Sequence, residues 1–134
     1  MSTPFGPQLI GETEKTLNAL LRRFLAGTGV TVPQWVTLRL SDLLEGSVDA
    51  DGLTTAVADR AHFPDAASLV TGLTNRGLLD DGRLTSTGRE LTAAVQATIT
   101  TQPAPIWDNL PPDDVAAATR VLNEVVMRAR AVLS

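Results

Sequence analysis

Ser68, Thr71 and Asn75 recur at spacings of three and four residues, and Arg76 follows directly. On a helix that spacing gathers the side chains on one face. Hydroxyl and amide groups read base edges, while an arginine clamps a phosphate or a guanine. Arg83 and Arg89 follow within the same region and add two cations suited to phosphate. The same residues also fit a plain solvated surface, with Arg83 balancing Asp80 and Asp81. A second group, Trp35 and Arg39 with Arg22, Arg23 and His62, offers an aromatic wall with cations, the chemistry that holds a small anionic aromatic ligand. Its structural counterpart is Trp35 in the core, Arg22 on a charged helix face and His62 satisfying a backbone group in a turn.

Other chemistries are poorly served. Cysteine is absent and histidine occurs once, which leaves no disulfide framework, no thiol sensor and no zinc set from this chain. The carboxylate pairs Asp80-Asp81 and Asp113-Asp114 fall in a turn and in a first helical turn, where they complement backbone dipoles rather than face each other in a cleft. No nucleophile–base arrangement or phosphate loop is visible, so neither an enzyme nor a cofactor is expected. The formal charge of −4 opposes general attraction to DNA, so any contact must rest on a local arginine cluster. The N-terminus lacks a signal-peptide pattern and no run approaches the roughly 20 apolar residues of a membrane span. A cytoplasmic location without membrane contact is the expectation.

These side chains need elements to position them. With 43% hydrophobic and 19% charged residues, the 134-residue chain reads as one globular domain. Ile10, Thr13, Leu17, Leu20, Leu21, Phe24 and Leu25 mark an amphipathic first helix that stops near Gly27-Thr28-Gly29. Thr31 with Gln34 forms a capping box for a second helix reaching about Leu44, with Pro33 tolerated in its first turn. Residues 46–52 read as a turn, Leu53, Ala56, Val57 and Ala61 as a third helix, and Phe63-Pro64-Asp65 as its break. A fourth helix over 65–76 turns Ala66, Leu69, Val70 and Leu73 inward, which leaves Ser68, Thr71, Gly72, Asn75 and Arg76 outward. The third and fourth form a helix-turn-helix pair, with the fourth as the recognition helix.

Gly77 then caps the fourth helix, Leu78-Leu79 and Arg83-Leu84 suggest two short strands, and Asp81-Gly82 between them supplies the positive φ values of a tight hairpin. Thr85 or Thr87 caps a fifth helix carrying Leu91, Ala94, Val95, Thr98 and Ile99, which Pro103 and Pro105 interrupt. The last helix starts at Pro111-Pro112-Asp113-Asp114. Its stripe of Val115, Ala118, Leu122, Val125, Val126, Ala129, Val132 and Leu133 calls for a partner, and a two-fold dimer is the economical one.

Leu73, Arg76, Gly77 and Leu78, then Leu84, Thr85 and Gly88, resemble the MarR (multiple-antibiotic-resistance regulator) family of transcription factors. There a recognition helix ends in Leu-x-x-Arg-Gly-Leu, and after a wing a Leu-Thr-x-x-Gly-like signature opens the next helix. Residues 30–39, Val-Thr-Val-Pro-Gln-Trp-Val-Thr-Leu-Arg, are similar to that family's entry to its second helix. The resemblance implies a mostly α winged helix-turn-helix with a small two-stranded β-wing. The core would span 31–102, flanked by dimerisation helices at 8–27 and 103–134. It further implies a homodimer on double-stranded DNA, a repressor at an inverted-repeat operator, with an effector held between the dimerisation helices and the winged helix. A rival expectation is a winged-helix dimer that no longer binds DNA and serves as a protein-interaction module.

Overall fold

The Thr31 hydroxyl accepts from the Gln34 amide at 3.3 Å while the Gln34 side chain accepts from the Thr31 amide at 3.0 Å, closing the expected capping box at the entry to the second helix. The computed structural model describes residues 2–44, 46–101 and 106–134. Among them are helices α1 (Pro7–Leu25), α2 (Val32–Leu44), α3 (Ala50–Ala61), α4 (Ala66–Asn75), α5 (Ser86–Thr100) and α6 (Pro112–Leu133). Strands β1 (Leu79–Asp80) and β2 (Arg83–Leu84) form an antiparallel pair with Leu79 opposite Leu84 and Asp80 opposite Arg83. The chain is mostly helical with one small sheet, a winged helix-turn-helix. It divides into two compact units, residues 1–101 and 102–134.

In the first unit, α2, α3 and α4 pack on one another and close over the hairpin. Leu38, Leu53, Val57 and Leu73 are fully buried, joined by Trp35, Val70, Leu78, Leu79, Leu84 and Val95. Burying a leucine of this kind is worth roughly 1.5–3 kcal/mol relative to exposure, so this cluster holds the helix-turn-helix and the hairpin as one body. The helix α1 adds mainly its C-terminal end, with Leu25 buried and Leu21 packed against the cluster. Its N-terminal half is far more exposed, with Phe5 just before it and Ile10 on it both open to solvent.

The helix α3 starts at Ala50, three residues before the first apolar position of its periodic pattern. Asp49 is its N-cap and accepts from the Gly52 amide at 2.8 Å. Gly52 therefore sits inside the first helical turn, and a Cβ there would stand 2.7 Å from the Val48 Cβ. Close packing, not a bend, accounts for that glycine. At the far end of α5, Pro103 and Pro105, expected to interrupt the helix, lie outside the described residues.

The second unit contains α6, entered at Pro112 with Asp113 and Asp114 in its first turn, where carboxylates favour the positive helix end. No residue of α6 is buried, and Val115, Leu122, Val125, Val126, Val132 and Leu133 are all exposed.

Candidate nucleic-acid interface

The helix α4 presents two chemically different faces. Ala66, Val70 and Leu73 are buried, whereas Ser68, Thr71, Asn75 and the following Arg76 are exposed, with Gly72 half-buried between them. The period of 3.6 residues separates these sets, so the face away from the core carries the polar groups. The helix ends in a Schellman motif. The Leu78 amide donates to the Leu73 carbonyl at 3.0 Å and the Gly77 amide to Thr74 at 3.0 Å, with Gly77 at φ +74°. This motif makes Arg76 the C-cap residue, and its guanidinium Nη1 donates to the Gly29 carbonyl at 3.0 Å and to Gln34 Oε1 at 3.4 Å.

The hairpin that follows is tied down at its tip. Asp81 at φ +48° and Gly82 at φ +83° form the two-residue turn that the Asp-Gly pair announces. The Gly82 carbonyl accepts from the Ser41 hydroxyl at 2.7 Å, and Asp81 Oδ1 accepts from the Ala50 amide at 3.1 Å, in the first turn of α3. A Cβ on Gly82 would stand 2.6 Å from the Asp49 carbonyl oxygen. The wing tip is thus clamped between the C-terminal half of α2 and the start of α3. Arg83 follows this clamp: its Nε, Cδ and Cγ lie 3.0–3.2 Å from where a Gly46 Cβ would be. Its stem runs along the α2–α3 turn. Arg83 and Arg89 line one hollow of about 260 Å³ together with Ser41, Asp42, Gly46 and Leu84.

Thr85 joins these parts. Its hydroxyl accepts from the Gly88 amide at 3.0 Å as N-cap of α5 and donates to the Gly77 carbonyl at 2.6 Å. Of the two threonines that the sequence allows as cap, Thr85 is the one used. Gly88 lets the helix approach the hairpin, since a Cβ there would collide with the Leu78 carbonyl oxygen. The Leu-Thr-x-x-Gly pattern is therefore a cap plus a close contact.

A model of a helix-turn-helix family matches residues 47–133, well over half of the chain, from the turn before α3 through the hairpin to α6. The chain belongs to this helix-turn-helix family. The match supports a DNA-binding domain of a regulator, and it does not single out the MarR family. No curated protein and no solved structure matched the chain.

In this helix-turn-helix protein, the second expected group meets in part: Arg39 stands against Trp35, while Arg22 lines a different hollow. Trp35 is only 5% exposed and packs in the core, with the exposed Arg39 guanidinium carbon 5.9 Å from its ring centroid. Arg39 also pairs with Asp42 at 3.1 Å and lines, with Leu84, Arg89, Thr92 and Gln96, a hollow of about 290 Å³. Arg22 lines a separate hollow of about 430 Å³ with Leu25, Ala26, Val30, Thr31, Val32 and Pro33. His62 is exposed and is the left-handed C-cap of α3, at φ 57°. Among the described residues there is no cluster of metal-ligating side chains, and no helix is long and apolar enough to cross a membrane.

The sequence pattern missed Ser41, Asp49, Asp81 and Gln34 as parts that shape this interface. Gln34 was legible as a cap only. Asp81 was legible as a turn residue but not as the acceptor for Ala50, the Ser41 bond is announced by no local spacing, and Asp49 fits the type of an N-cap.

Proposed function

We propose that the chain is a homodimeric, MarR-like transcriptional regulator of the cytoplasm, acting as a repressor at an inverted-repeat operator in double-stranded DNA. The observation that carries this reading is the exposed face of α4, where Ser68, Thr71 and Asn75 stand clear of the core on the second helix of a family-matched helix-turn-helix. Such a helix lies in the major groove, and these side chains hydrogen-bond base edges. Arg83 and Arg89, which line one hollow beside that helix-turn-helix, supply phosphate contacts. The clamped hairpin tip favours contact with the backbone over deep insertion in the minor groove.

The exposed apolar stripe of α6, on which no residue is buried, supports dimerisation through the terminal helices. A stripe of that length is unfavourable in water and is the usual mark of an interface. Two copies related by a two-fold axis would present two α4 helices to successive major grooves. The protein needs no enzymatic step for this role. An effector, where one acts, is a small anionic aromatic compound, and the mostly apolar hollow that Arg22 lines suits it better than buried Trp35.

One observation favours a second reading, a dimer that binds protein and not DNA. Among the exposed residues of α4 none is basic, and the first cation after it, Arg76, is already hydrogen-bonded to Gly29 and Gln34. Selection of duplexes from a random-sequence pool by the full chain separates the two. Recovery of a two-fold symmetric sequence supports the repressor. A pool that remains random through repeated rounds, with a folded dimer, supports the interaction module.

A further inference from the structure

We infer that Arg76 is a positioning residue, a strap that fixes the recognition helix against the turn between α1 and α2, and not a phosphate contact. This rests on the DNA-binding reading of α4 and assigns the cation at its end a different task. The helix α4 has ten residues, and its middle contains Gly72. A helix that short is marginal on its own, so its orientation depends on what holds its ends. The Schellman motif fixes the backbone at Arg76, and the side chain reaches Gly29 and Gln34.

Both acceptors are themselves anchored. Gly29 lies in the tight turn where the Thr28 hydroxyl donates to the Leu25 carbonyl at 2.6 Å and accepts from the Val30 amide at 3.1 Å. Gln34 Oε1 accepts from the Thr31 amide as well as from Arg76, so one side-chain oxygen serves both the α2 capping box and the strap. Arg76 therefore links the end of α1, the start of α2 and the end of α4 across more than forty residues of chain. Nη1 carries both bonds, which holds the guanidinium over this turn.

The consequence is specific. Loss of a phosphate contact weakens binding and also flattens the dependence of affinity on salt, by about 0.9 in the logarithmic slope for each lost contact. Loss of a strap lowers the fraction of protein with α4 correctly placed, and apparent affinity falls by that fraction with no released counterion to remove. Gln34→Glu retains an acceptor for both partners and adds a charge that favours Arg76.

The test uses the full chain in four forms: the parent, Arg76→Ala, Arg76→Lys and Gln34→Glu. Binding to a duplex selected from a random pool is titrated from low to moderate salt, at a temperature where thermal melts show every form folded. The strap predicts that Arg76→Ala loses about fivefold in affinity with an unchanged salt slope. Arg76→Lys recovers part of the loss, and Gln34→Glu binds at least as well as the parent. A slope flattened by about 0.9 per lost contact, or an affinity equal to the parent's, overturns it. In the free protein, Arg76→Ala should also shift the amide resonances of Val30 and Thr31. That readout needs no DNA, so unchanged resonances refute the strap even where the parent binds no duplex, and a failed duplex selection with shifted resonances refutes only the DNA reading.

Discussion

The Ser41 hydroxyl donates a 2.7 Å hydrogen bond to the carbonyl of Gly82, joining the C-terminal half of α2 to the tip of the hairpin across 41 residues of sequence. Both residues are buried, so the carbonyl has no water to fall back on. Ser41→Ala should therefore lower stability by about 1–3 kcal/mol, read from chemical denaturation. A loss within the scatter of surface substitutions would show that the tip is held some other way.

Two glycines make opposite predictions. Gly88→Ala drives a methyl group into the Leu78 carbonyl oxygen and should destabilise the fold by about 2 kcal/mol or more. Gly72→Ala on α4 meets nothing within 4 Å and should stabilise by about 0.8–1 kcal/mol through helix propensity. Thermal melts of the two variants side by side check both signs. If Gly72→Ala also loses DNA affinity while gaining stability, the α4 face is in contact with the groove.

Thr85 has two bonds to lose. Thr85→Val keeps the shape but removes the cap on α5 and the donor to Gly77, with an expected cost of about 1–2 kcal/mol. Thr87→Val, at an exposed position without a capping bond in the structure, should cost a few tenths of a kcal/mol at most. Equal losses would restore Thr87 as the cap.

The contrast between these sites explains what was legible in the sequence. The capping box at Thr31 and Gln34, the Asp81-Gly82 turn and the Gly77 helix end are written within four residues of chain, and local chemistry decides each. The strand β1 is displaced by one residue from Leu78-Leu79 because Leu78 completes the Schellman motif. The start of α3 was obscured because Gly52 looks like a turn residue until Val48 is seen against it. The Ser41–Gly82 and Arg76–Gly29 bonds lie entirely outside such patterns, since their partners are brought together only by tertiary packing. Residue type suggested that Ser68, Thr71, Asn75 and Arg76 share a task, and only the bonds of Arg76 separate it from the other three.

Assembly should depend on α6. Leu122→Asp places a charge in the exposed apolar stripe and should shift a dimer toward monomer at micromolar concentration in sedimentation experiments. The first unit should keep its cooperative melt, because its buried cluster runs from Leu25 to Val95. A parent chain that sediments as a monomer would remove the dimer from this account.

If the α4 face binds DNA with phosphate contacts from Arg83 and Arg89, a dimer should bind the DNA upstream of its own coding sequence in a salt-dependent way. Two such cations in each of two subunits predict saturable binding with a logarithmic salt slope of about −4, shallow for a repressor. Arg83→Ala should reduce that slope to about −2, and Asn75→Ala should weaken binding at an unchanged slope. A folded dimer with no measurable binding at low salt, or one whose affinity ignores both substitutions, would overturn DNA binding by this face.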